Sequence, residues 1–570
     1  MKTRELRQKF LDFFEKKGHK IVPSSSLIPK DPSVLLTSAG MQQFKEYFLG
    51  EPSPYGKKVA SSQKCFRTSD IEEVGDVSHL TFLEMLGNFS FGNYFKEEAI
   101  KLAYEFLFKK LKLPLKEARF TVFGGDKEVP LDEESILIWK KLGIPEEKIK
   151  KCGREDNFWG PTGVEGPCGP TTEIHFGGVE VWNIVFNEYY CDSKKKLKPL
   201  KQKGVDTGMG LERLAMVSQE KTSVFEIDLF EPIIKEIEKS SAKTYDKNSK
   251  DYRIIADHIR GAVFLISEGI FPSNVERGYV LRKILRRTIR SGRLLELQTN
   301  FLFSLAGKVI ETYKDIYPEL SSRQADILTV IQKEEEKFRR AIEQGIKEWK
   351  ILSKILSKAG RGYITGKEAF SLYETHSISL ESIEELAKES GIKIKDKEGF
   401  KKAFKKHQEI SRAGAEKKFG GLGKGATLKA VKLHTATHLL HQALREVLGD
   451  DVKQMGSDIN PQRLRFDFSH HQKMTEAEIK KVEDSVNEKI KKDLAVKKEE
   501  MPYEKALKSK ALAFFKEKYP EKVTVYSIGG FSKEICAGPH VKKTSELGRF
   551  KIIKEESSGA GVRRIRAILE

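Results

Sequence analysis

The sequence predicts an α+β protein of several domains, and three observations lead to this prediction. Between residues 59 and 210, short runs rich in β-branched and aromatic residues alternate with turn residues, which is typical of strands. After Glu212, apolar residues recur mostly at helical spacing as far as residue 412. After residue 430, histidines and a cysteine occur at spacings typical of metal ligands. A chain of 570 residues is long enough for about three or four domains.

The charge of the chain indicates a polyanionic partner. The formal net charge is +20 at pH 7 and the isoelectric point is near 9.3, with lysine and arginine spread over the whole length. This distribution favours a nucleic acid over a small acidic ligand. The alternative is a lysine-rich solvated surface that has no partner.

Cysteine usage and hydropathy favour a reducing compartment. Five cysteines in scattered positions do not indicate a disulfide framework. The apolar cluster at Phe10–Phe14 is interrupted by Asp12, so we expect no signal peptide. No apolar run has the length that crosses a bilayer, and we expect a cytoplasmic protein without membrane contacts.

The N-terminal region is predicted to begin with one helix and two strands. Apolar residues at helical spacing between residues 4 and 17 indicate a helix that ends at Gly18. Strands are predicted at Ile21–Pro23 and Leu35–Met41.

The following region is predicted to alternate between helices and strands. Residues 158–176 form a loop rich in glycine and proline that leads to a strand at Glu173–His175. Strands at Val179–Asn187 and Gly204–Asp206 are predicted to close the sheet. Helices are predicted over residues 96–111, 131–151, 227–241, 252–267, 279–295, 301–313, 322–354 and 368–376.

The segment Val205–Arg213 is predicted to form a strand–turn–helix corner that binds an anion. Asp206 is a carboxylate at the end of an apolar strand, and Gly208 and Gly210 let the backbone approach a nucleotide closely. The guanidinium of Arg213 can bind phosphate oxygens through two hydrogen bonds. An ordinary glycine-rich turn without a ligand is the alternative.

Five other segments accompany this corner: Ser62–Arg67, Thr81–Gly92, Phe158–Trp159, Gly166–Pro170 and Trp182–Phe186. Together with Val205–Arg213 they resemble the alanyl-tRNA synthetases, a family of class II aminoacyl-tRNA synthetases. The resemblance implies an antiparallel catalytic sheet with flanking helices, a helical tRNA-recognition domain and a C-terminal α+β editing-like domain. It also implies an enzyme that uses ATP to activate alanine and transfers the alanine to the 3′ end of alanine tRNA.

The resemblance implies roles for the residues of the catalytic domain. Arg67 would bind the α-phosphate of ATP, Arg213 the γ-phosphate, and Asp206 the ammonium group of alanine. His79 would lie in a loop over the phosphates and Met85 near the adenine, although ordinary core packing is the alternative for Met85.

The resemblance also implies the walls of the amino-acid pocket and a magnesium site. Gly210 would contact ATP, and Glu173 would be a ligand of the Mg²⁺ that bridges the phosphates. The pocket for alanine would be formed by Trp159, Asn183, Val185 and Gly208.

A cationic stripe is predicted on the helix that follows Gly278. Arg282, Arg286 and Arg290 recur at every fourth position and therefore lie on one helix face, with Lys283 and Arg287 beside them. This pattern favours contact with an RNA backbone, and a solvated helix face is the alternative.

Two further residues are implied to read the tRNA acceptor stem. Relatives recognise a G·U wobble pair with an asparagine and an aspartate, which match Asn274 and Glu374 of this chain. The longer carboxylate of Glu374 stands where the family has aspartate, and it could still accept from a guanine amino group.

The C-terminal region carries a predicted zinc site. His434 and His438 lie four residues apart on a predicted helix and therefore on one face, and Cys536 and His540 follow far downstream. Three imidazoles and one thiolate suit tetrahedral zinc, whereas a pair of packed or exposed histidines is the alternative. The resemblance extends to the family's editing domain, with the sequence Cys-Ala-Gly-Pro-His in place of Cys-Gly-Gly-Thr-His, and implies hydrolysis of tRNA mischarged with serine or glycine.

These observations predict a catalytic domain at residues 1–242, a tRNA-recognition domain at 243–412, a linker at 413–430 and a zinc-binding domain at 431–570. Compared with the family pattern, we expect a compact form that lacks most of the editing β-barrel and the C-terminal dimerisation domain, and we expect a monomer. A stand-alone deacylase of mischarged tRNA and a non-catalytic tRNA-binding relative are the alternative functions.

Overall fold

The computed structural model describes residues 1–31, 33–241, 244–245, 250–376, 380–416, 427–450, 452–470, 472–509, 511–513, 522–559 and 561–570. It divides into two compact units. The first comprises Met1–Ile270 and Glu276–Glu335, and the second Phe271–Val275 and Glu336–Glu570. The predicted boundary between residues 242 and 243 and the central part of the predicted linker, residues 417–426, lie outside the described residues.

The first unit is built on a nine-stranded sheet. Its strands are β1 (Lys20–Ile21), β2 (Lys58–Phe66), β3 (Phe82–Phe91), β4 (Ala118–Phe123), β5 (Ile149–Cys152), β6 (Phe158–Trp159), β7 (Gly166–Phe176), β8 (Val179–Cys191) and β9 (Leu197–Gly210). The order is β1-β2-β3-β9-β8-β7-β4-β5, and β6 pairs with β7. The pairs from β2 to β4 along this order are antiparallel, and only the two edge pairs β1–β2 and β4–β5 are parallel.

Helices flank this sheet and extend the first unit. They are α1 (Thr3–Lys16), α2 (Lys45–Phe48), α3 (Lys96–Tyr104), α4 (Glu133–Lys141), α5 (Arg154–Asn157), α6 (Leu211–Ser218), α7 (Glu231–Ser241), α8 (Lys250–Ser267), α9 (Glu276–Leu294), α10 (Phe301–Tyr313), α11 (Glu319–Ser322) and α12 (Gln324–Lys358), which continues into the second unit. Apolar side chains of α1, such as Phe10 and Phe14, are fully buried and contact Trp182 of β8.

A fully buried ionic network joins helices to strands in the first unit. Arg7 of α1 forms two hydrogen bonds with the carboxylate of Glu84 in β3, which also accepts from the hydroxyl of Tyr317 at 2.7 Å. The carboxylate of Glu212 in α6 accepts from the backbone N–H of Glu84 and lies 3.0 Å from Arg260 of α8. Each carboxylate is thus neutralised by an arginine from another element.

Three predicted elements differ from the structure. Leu35–Met41 is not a strand, because the side chain of Gln42 accepts hydrogen bonds from the backbone N–H groups of Ser38 and Ala39 and a 3₁₀ turn begins at Gly40. The predicted helix at 131–151 is shorter, because its last residues form β5.

The glycine- and proline-rich run Gly166–Pro170 lies in β7 rather than in a loop. This strand shifts its register against β8 between Cys168 and Thr171, which accommodates the prolines. A Cβ atom on Gly169 would lie 1.8 Å from the carbonyl oxygen of Phe186, so only glycine lets the two strands approach here.

The second unit contains a helical part followed by two small sheets. Its helices are α13 (Gly366–His376), α14 (Leu380–Glu389), α15 (Lys397–Glu416), α16 (Leu428–Leu448), α17 (Glu476–Lys491) and α18 (Tyr503–Lys508). Its strands are β10 (Tyr363–Thr365), β11 (Lys393–Lys395), β12 (Gln454–Ile459), β13 (Leu464–Ser469), β14 (Val496–Pro502), β15 (Lys522–Ile528), β16 (Ser532–Ile535), β17 (Phe550–Gly559) and β18 (Val562–Leu569).

The strands after α16 form two antiparallel sheets, in the orders β12-β13-β18-β17 and β14-β15-β16. Helices α16 and α17 bury their apolar faces against the first of these sheets, with Leu440, Phe466 and Val486 in the shared core. Among the described residues, no helix is both long and apolar enough to cross a membrane.

Candidate functional site

A pocket lies on the central sheet of the first unit. It is lined by residues of β3, β8 and β9, of the chain between β2 and β3, and of the start of α6: Arg67, Asp70, Ser78, Leu80, Leu83, Met85, Glu180, Val181, Gly208, Gly210, Glu212 and Arg213. Both arginines that the sequence singled out therefore face the same cavity.

The register of the sheet explains why distant residues meet on one face. Cross-strand partners in an antiparallel sheet direct their side chains to the same side. The partners on this face include Met85 with Gly210, Gly208 with Asn183, Asn183 with Glu173, and Asp206 with Val185. A Cβ atom on Gly208 would lie 3.1 Å from the sulfur of Met85, so the glycine makes room for the methionine that lines the pocket.

Asp206 lies beside the pocket, two residues before Gly208 on the same face of β9. Only 5 % of its surface is exposed, and burial raises the pKa of its carboxyl to about 7. Within the described residues, no cationic side chain lies within ion-pair distance of this carboxylate. The ionised form of a buried carboxylate costs free energy unless a positive charge lies beside it.

The two arginines are held in different ways. The Nε of Arg67 donates to the carbonyl oxygen of Ser38 at 3.4 Å. The Nη1 of Arg213 donates to the carbonyl oxygen of Glu180 at 2.8 Å and lies 3.3 Å from the Glu180 carboxylate.

His79 does not itself line the pocket, although Ser78 and Leu80 on either side of it do. Its Nδ1 lies 2.5 Å from the carboxylate of Asp76, which also accepts from the backbone N–H of His79 at 2.8 Å. The imidazole is half-buried and held by this aspartate at the base of the loop.

Glu173 is buried on the neighbouring strand, and both of its carboxylate oxygens accept hydrogen bonds. One oxygen accepts from Asn183 at 3.0 Å, and the other from His175 at 2.9 Å and Thr121 at 3.2 Å. Burial raises the pKa of Glu173 above its usual value. Trp159 lies in β6, opposite Gly169 of β7, and is half-buried.

Several residues that line the pocket were not predicted from the sequence. Leu83 lies two positions before Met85 in β3, so the alternation of a strand could have identified it. Glu180 follows the turn at Gly177 and Gly178, and Asp70 lies in the chain between β2 and β3, where no periodicity indicates the direction of a side chain.

Several residues of the predicted cationic stripe on α9 form ion pairs with acidic residues of the first unit. Arg282 is 8 % exposed, and its Nε lies 3.0 Å from the carboxylate of Glu334. This arginine is therefore buried in an ion pair and is not available for the predicted contact with RNA. Its position on the same helix face as apolar neighbours explains the burial, which the charge pattern alone did not indicate. Lys283 and Arg287 both pair with Glu72, and Nε of Arg286 lies 3.9 Å from the carboxylate of Glu334. Arg286 and Arg290 are half-buried.

Asn274 and Glu374 belong to the second unit. Asn274 lies in the short segment Phe271–Val275, and Glu374 lies in the last turns of α13. Both residues are exposed.

The four predicted metal ligands converge in the second unit. One side-chain donor atom from each of His434, His438, Cys536 and His540 lies within 4.8 Å of the others. Helix α16 supplies the first two ligands, and the segment after β16 supplies the others. The sulfur of Cys536 lies 3.4 Å from Nε2 of His434, and the rings of His434 and His540 are stacked with centroids 4.3 Å apart.

The Nδ1 atom of each imidazole in this cluster lies near an oxygen atom of a neighbouring residue. That atom lies 3.1 Å from the carbonyl oxygen of Pro539 in His434, 3.2 Å from the hydroxyl of Thr435 in His540, and 3.3 Å from the Glu534 carboxylate in His438. Nε2 of His434 lies beside the thiol of Cys536, and both Nδ1 of His438 and Nε2 of His540 are buried without a hydrogen-bond partner among the described residues.

The electrostatics of the cluster favour neutral imidazoles. Burial lowers the pKa of His434 to about 4 and that of His438 to about 3. Burial also raises the pKa of the Cys536 thiol to about 11, so the thiolate needs a cation to stabilise it. Neutral imidazoles and a thiolate are the forms in which these residues bind metals.

Family comparisons cover most of the chain. Residues 5–459 match the family described as tRNA synthetases class II (A). Residues 523–566 match the domain described as threonyl and alanyl tRNA synthetase second additional domain.

Curated relatives are similar over the whole length. The alanine–tRNA ligase of Borrelia hermsii is 47 % identical over 596 residues, which covers 100 % of both chains. That of Treponema denticola is 48 % identical over 592 residues, covering 99 % of this chain and 98 % of the relative. The alignment with the alanine–tRNA ligase of Thermotoga maritima extends over 704 positions at 40 % identity and covers 100 % of this chain and 80 % of the relative. Because the alignment is longer than the 570 residues of this chain, it contains positions of the relative that have no counterpart between the aligned residues of this chain.

The buried carboxyl of Asp206 should make stability depend on pH. Its folded-state pKa of about 7 exceeds the ordinary value of 3.8, so the folded protein binds this proton more tightly, and stability is lost as the pH rises from about 4 to about 7. We expect Asp206→Asn to raise the free energy of unfolding at pH 8 by roughly 2–4 kcal/mol, because the buried charge is removed. The gain should be smaller at pH 5, where the folded carboxyl is already protonated. Denaturant unfolding of both proteins at the two pH values measures this, and an equal gain at both would contradict it.

Proposed function

The chain belongs to the alanine–tRNA ligases, a family of class II tRNA synthetases, and from this membership we propose that alanine is activated in the pocket of its first unit. The chain is therefore an aminoacyl-tRNA synthetase, and the match over the full length favours this function over a stand-alone deacylase or a non-catalytic relative. What remains to be assigned is the role of each residue.

The observation that carries the proposal is the pairing of opposite charges across the pocket. Arg67 and Arg213 line a cavity whose neighbouring wall holds the buried, uncompensated carboxylate of Asp206. A triphosphate satisfies the arginines and an ammonium group satisfies the aspartate. ATP and alanine carry these groups.

The proposed chemistry requires positioning more than covalent catalysis. An oxygen of the alanine carboxylate attacks the α-phosphorus of ATP, the bond between the α-phosphorus and the bridging oxygen breaks, and pyrophosphate leaves with the electron pair. Arg67 stabilises the charge on the α-phosphate, while Arg213 binds the γ-phosphate. Asp206 binds the alanine ammonium and fixes the direction of attack.

The second step transfers alanine to tRNA. A hydroxyl of the terminal ribose attacks the carbonyl carbon of the alanyl-adenylate, and the bond to the phosphate oxygen breaks. AMP leaves with the electron pair, and the hydroxyl proton passes to an oxygen acceptor such as the phosphate. Asp206 continues to hold the ammonium group through this step.

Magnesium fits the oxygen donors that surround the pocket. Asp70 and Glu180 are carboxylates in its wall, where Asp70 accepts from Ser69 and Glu180 pairs with Arg213. Glu173 lies outside this lining, and its oxygens accept from three side chains, Thr121, His175 and Asn183. We therefore propose Asp70 and Glu180 as residues that would hold the ion with ATP, and Glu173 as a ligand only if these hydrogen bonds open. The ion would neutralise charge on the phosphates.

Asn183, Val185, Trp159 and Gly208 are proposed to bound the amino-acid pocket, with Met85 and Gly210 toward the nucleotide. A pocket for one methyl group discriminates poorly against glycine and serine, because one methylene is worth only about 1–3 kcal/mol. Hydrolysis of mischarged tRNA in the second unit is therefore a second candidate function. It is favoured by the histidine–cysteine cluster, of which Cys536 and His540 lie in the residues that match the threonyl and alanyl additional domain.

The cluster fits zinc by the chemistry of its donors. One ring nitrogen from each of three histidines and one sulfur are brought together, and Nε2 of His540 is buried without a partner among the described residues. His434, His438, Cys536 and His540 would hold the ion, which would supply Lewis-acid chemistry or bind the tRNA terminus. Pro539, Thr435 and Glu534 orient the imidazoles for it.

For tRNA recognition, we propose that residues 243–412 contact the acceptor stem and residues 431–570 the mischarged end. Arg286 and Arg290 are the proposed backbone contacts on α9, and Arg282 is left out because it is buried against Glu334. Asn274 and Glu374 are proposed to read the G·U pair, and their exposure supports this.

Asp206→Ala is expected to abolish alanine-dependent exchange of pyrophosphate into ATP, because the ammonium group loses its counter-charge. Zinc content should stay the same, since the cluster lies in the other unit. The exchange assay with labelled pyrophosphate, together with metal analysis of the same sample, measures both. Retained exchange would remove Asp206 from the proposed role.

Asn274→Ala and Glu374→Ala are each expected to lower kcat/KM for alanine tRNA by about tenfold or more, because a base contact is lost. Their preference for tRNA with the G·U pair over tRNA with G·C at that position should shrink. Pyrophosphate exchange does not involve tRNA and serves as the control. A variant that keeps the full preference for the G·U pair would show that its residue does not read this pair.

Cys536→Ser is expected to lower the bound zinc, as measured by elemental analysis. It is also expected to slow hydrolysis of alanine tRNA that is mischarged with serine. The serine hydroxyl is a far weaker zinc ligand than a thiolate. Cys152→Ser, at another buried cysteine in the first unit, is the matched control and should keep the metal. Full zinc content in Cys536→Ser would exclude this cysteine as a ligand.

A further inference from the structure

The chain between β2 and β3 leaves and re-enters the sheet at one point. The backbone N–H of Arg67, directly after β2, donates to the carbonyl oxygen of Thr81, directly before β3, at 2.8 Å. Asp70, Ser78 and Leu80 within this connection line the pocket together with Arg67. The position of Thr81 therefore determines where the two ends of the connection meet and fixes the backbone of Arg67.

Thr81 is held by a single buried carboxylate. Asp257 of α8 accepts from the backbone N–H of Thr81 at 2.9 Å and from its hydroxyl at 2.5 Å. Both residues are fully buried. A Cβ atom on Gly261 would lie 3.2 Å from the Thr81 hydroxyl and 2.9 Å from Phe66, so a glycine in α8 permits this close approach.

Asp257 is itself oriented by a chain of hydrogen bonds. The Nε–H of Arg287 can only donate, so Nε2 of His258, 3.1 Å away, accepts. The proton of this imidazole then lies on Nδ1, which donates to the Asp257 carboxylate at 2.9 Å. His258 is fully buried and burial lowers its pKa, which agrees with a neutral ring.

Other contacts secure the same connection from the same two helices. Glu72 pairs with Lys283 and Arg287 of α9, and the carbonyl oxygen of Gly75 accepts from Arg253 of α8 at 3.2 Å. These bonds hold the outer part of the connection, whereas the bonds of Asp257 hold its base. Only the base is directly bonded to the backbone of Arg67.

We propose that Asp257 is a positioning residue for the nucleotide half of the site: by fixing Thr81 it fixes Arg67 against the α-phosphate. This inference rests on the role proposed above for Arg67. Asp206, which is proposed to bind the amino acid, lies on β9 and is placed by the pairing of β9 with β8. Loss of the Asp257–Thr81 contact should therefore impair use of ATP and leave binding of alanine intact.

The test uses Thr81→Val in the full-length enzyme, because valine keeps the shape of threonine and removes only the hydroxyl donor. In the pyrophosphate exchange assay, we expect kcat/KM for ATP to fall by about tenfold or more, as small displacements of a positioned group have large effects on rate. The KM for alanine should change by less than about twofold. Thr81→Ser, which keeps the donor, should restore most of the loss.

Thr288→Val is the matched control. Thr288 is also fully buried, and its hydroxyl donates within α9, to the carbonyl oxygen of Ile284 at 2.8 Å, rather than to the connection. This variant removes a buried hydroxyl from the same unit and should leave both KM values unchanged. Asp257→Asn is a second test variant that keeps one acceptor oxygen and should show the same selective loss for ATP.

A double-mutant comparison separates this inference from the function on which it rests. In a background of Arg67→Ala, Thr81→Val should have little additional effect, because the positioned group is gone. If Arg67→Ala lowers exchange strongly but measurably and Thr81→Val equals the wild type, or lowers only the active fraction and not kcat/KM for ATP per active site, the role of Asp257 is overturned. If Arg67→Ala itself retains full exchange, the proposed role of Arg67 fails instead.

Discussion

The first unit depends on the neutralisation of two carboxylates that its sheet buries. Glu84 and Glu212 have almost no exposed surface, and each is held by an arginine, Arg7 or Arg260. A buried charge without such a partner costs several kcal/mol, so the four elements that supply these groups must pack together. Because α6 follows β9 directly, holding Glu212 also holds the neighbouring Arg213 at the wall of the pocket.

The pocket departs from this rule in one place. Asp206 is nearly as buried as Glu212, and burial raises the pKa of both carboxyls to about 7, yet only Glu212 has an arginine beside it. The same fold thus contains one buried carboxylate that is paired with an arginine and another for which the ammonium group of alanine is the proposed partner. Sites of substrate binding are where a structure can keep such an unpaired charge.

Much of this architecture could be predicted from the sequence, and the exceptions have physical causes. The apolar periodicity of Phe301–Tyr313 gives the bounds of α10 because one face of this helix is core. The strand predicted at Leu35–Met41 does not form, because the side chain of Gln42 accepts hydrogen bonds from backbone N–H groups of this segment. The burial of Arg282 escaped prediction because its partner Glu334 lies on another helix, and charge patterns along one helix do not show such pairs.

The close approach of β7 and β8 at Gly169 has a consequence for substrate choice. No side chain fits between the α-carbon of Gly169 and the carbonyl oxygen of Phe186. Any other residue at position 169 must therefore push the two strands apart. Strand β8 carries Asn183 and Val185, which face the same side as Asp206. A mutation at Gly169 would therefore widen the space proposed for the amino acid without touching it. Tolerance for a bulkier non-cognate amino acid would then arise from a backbone contact instead of from the cavity wall.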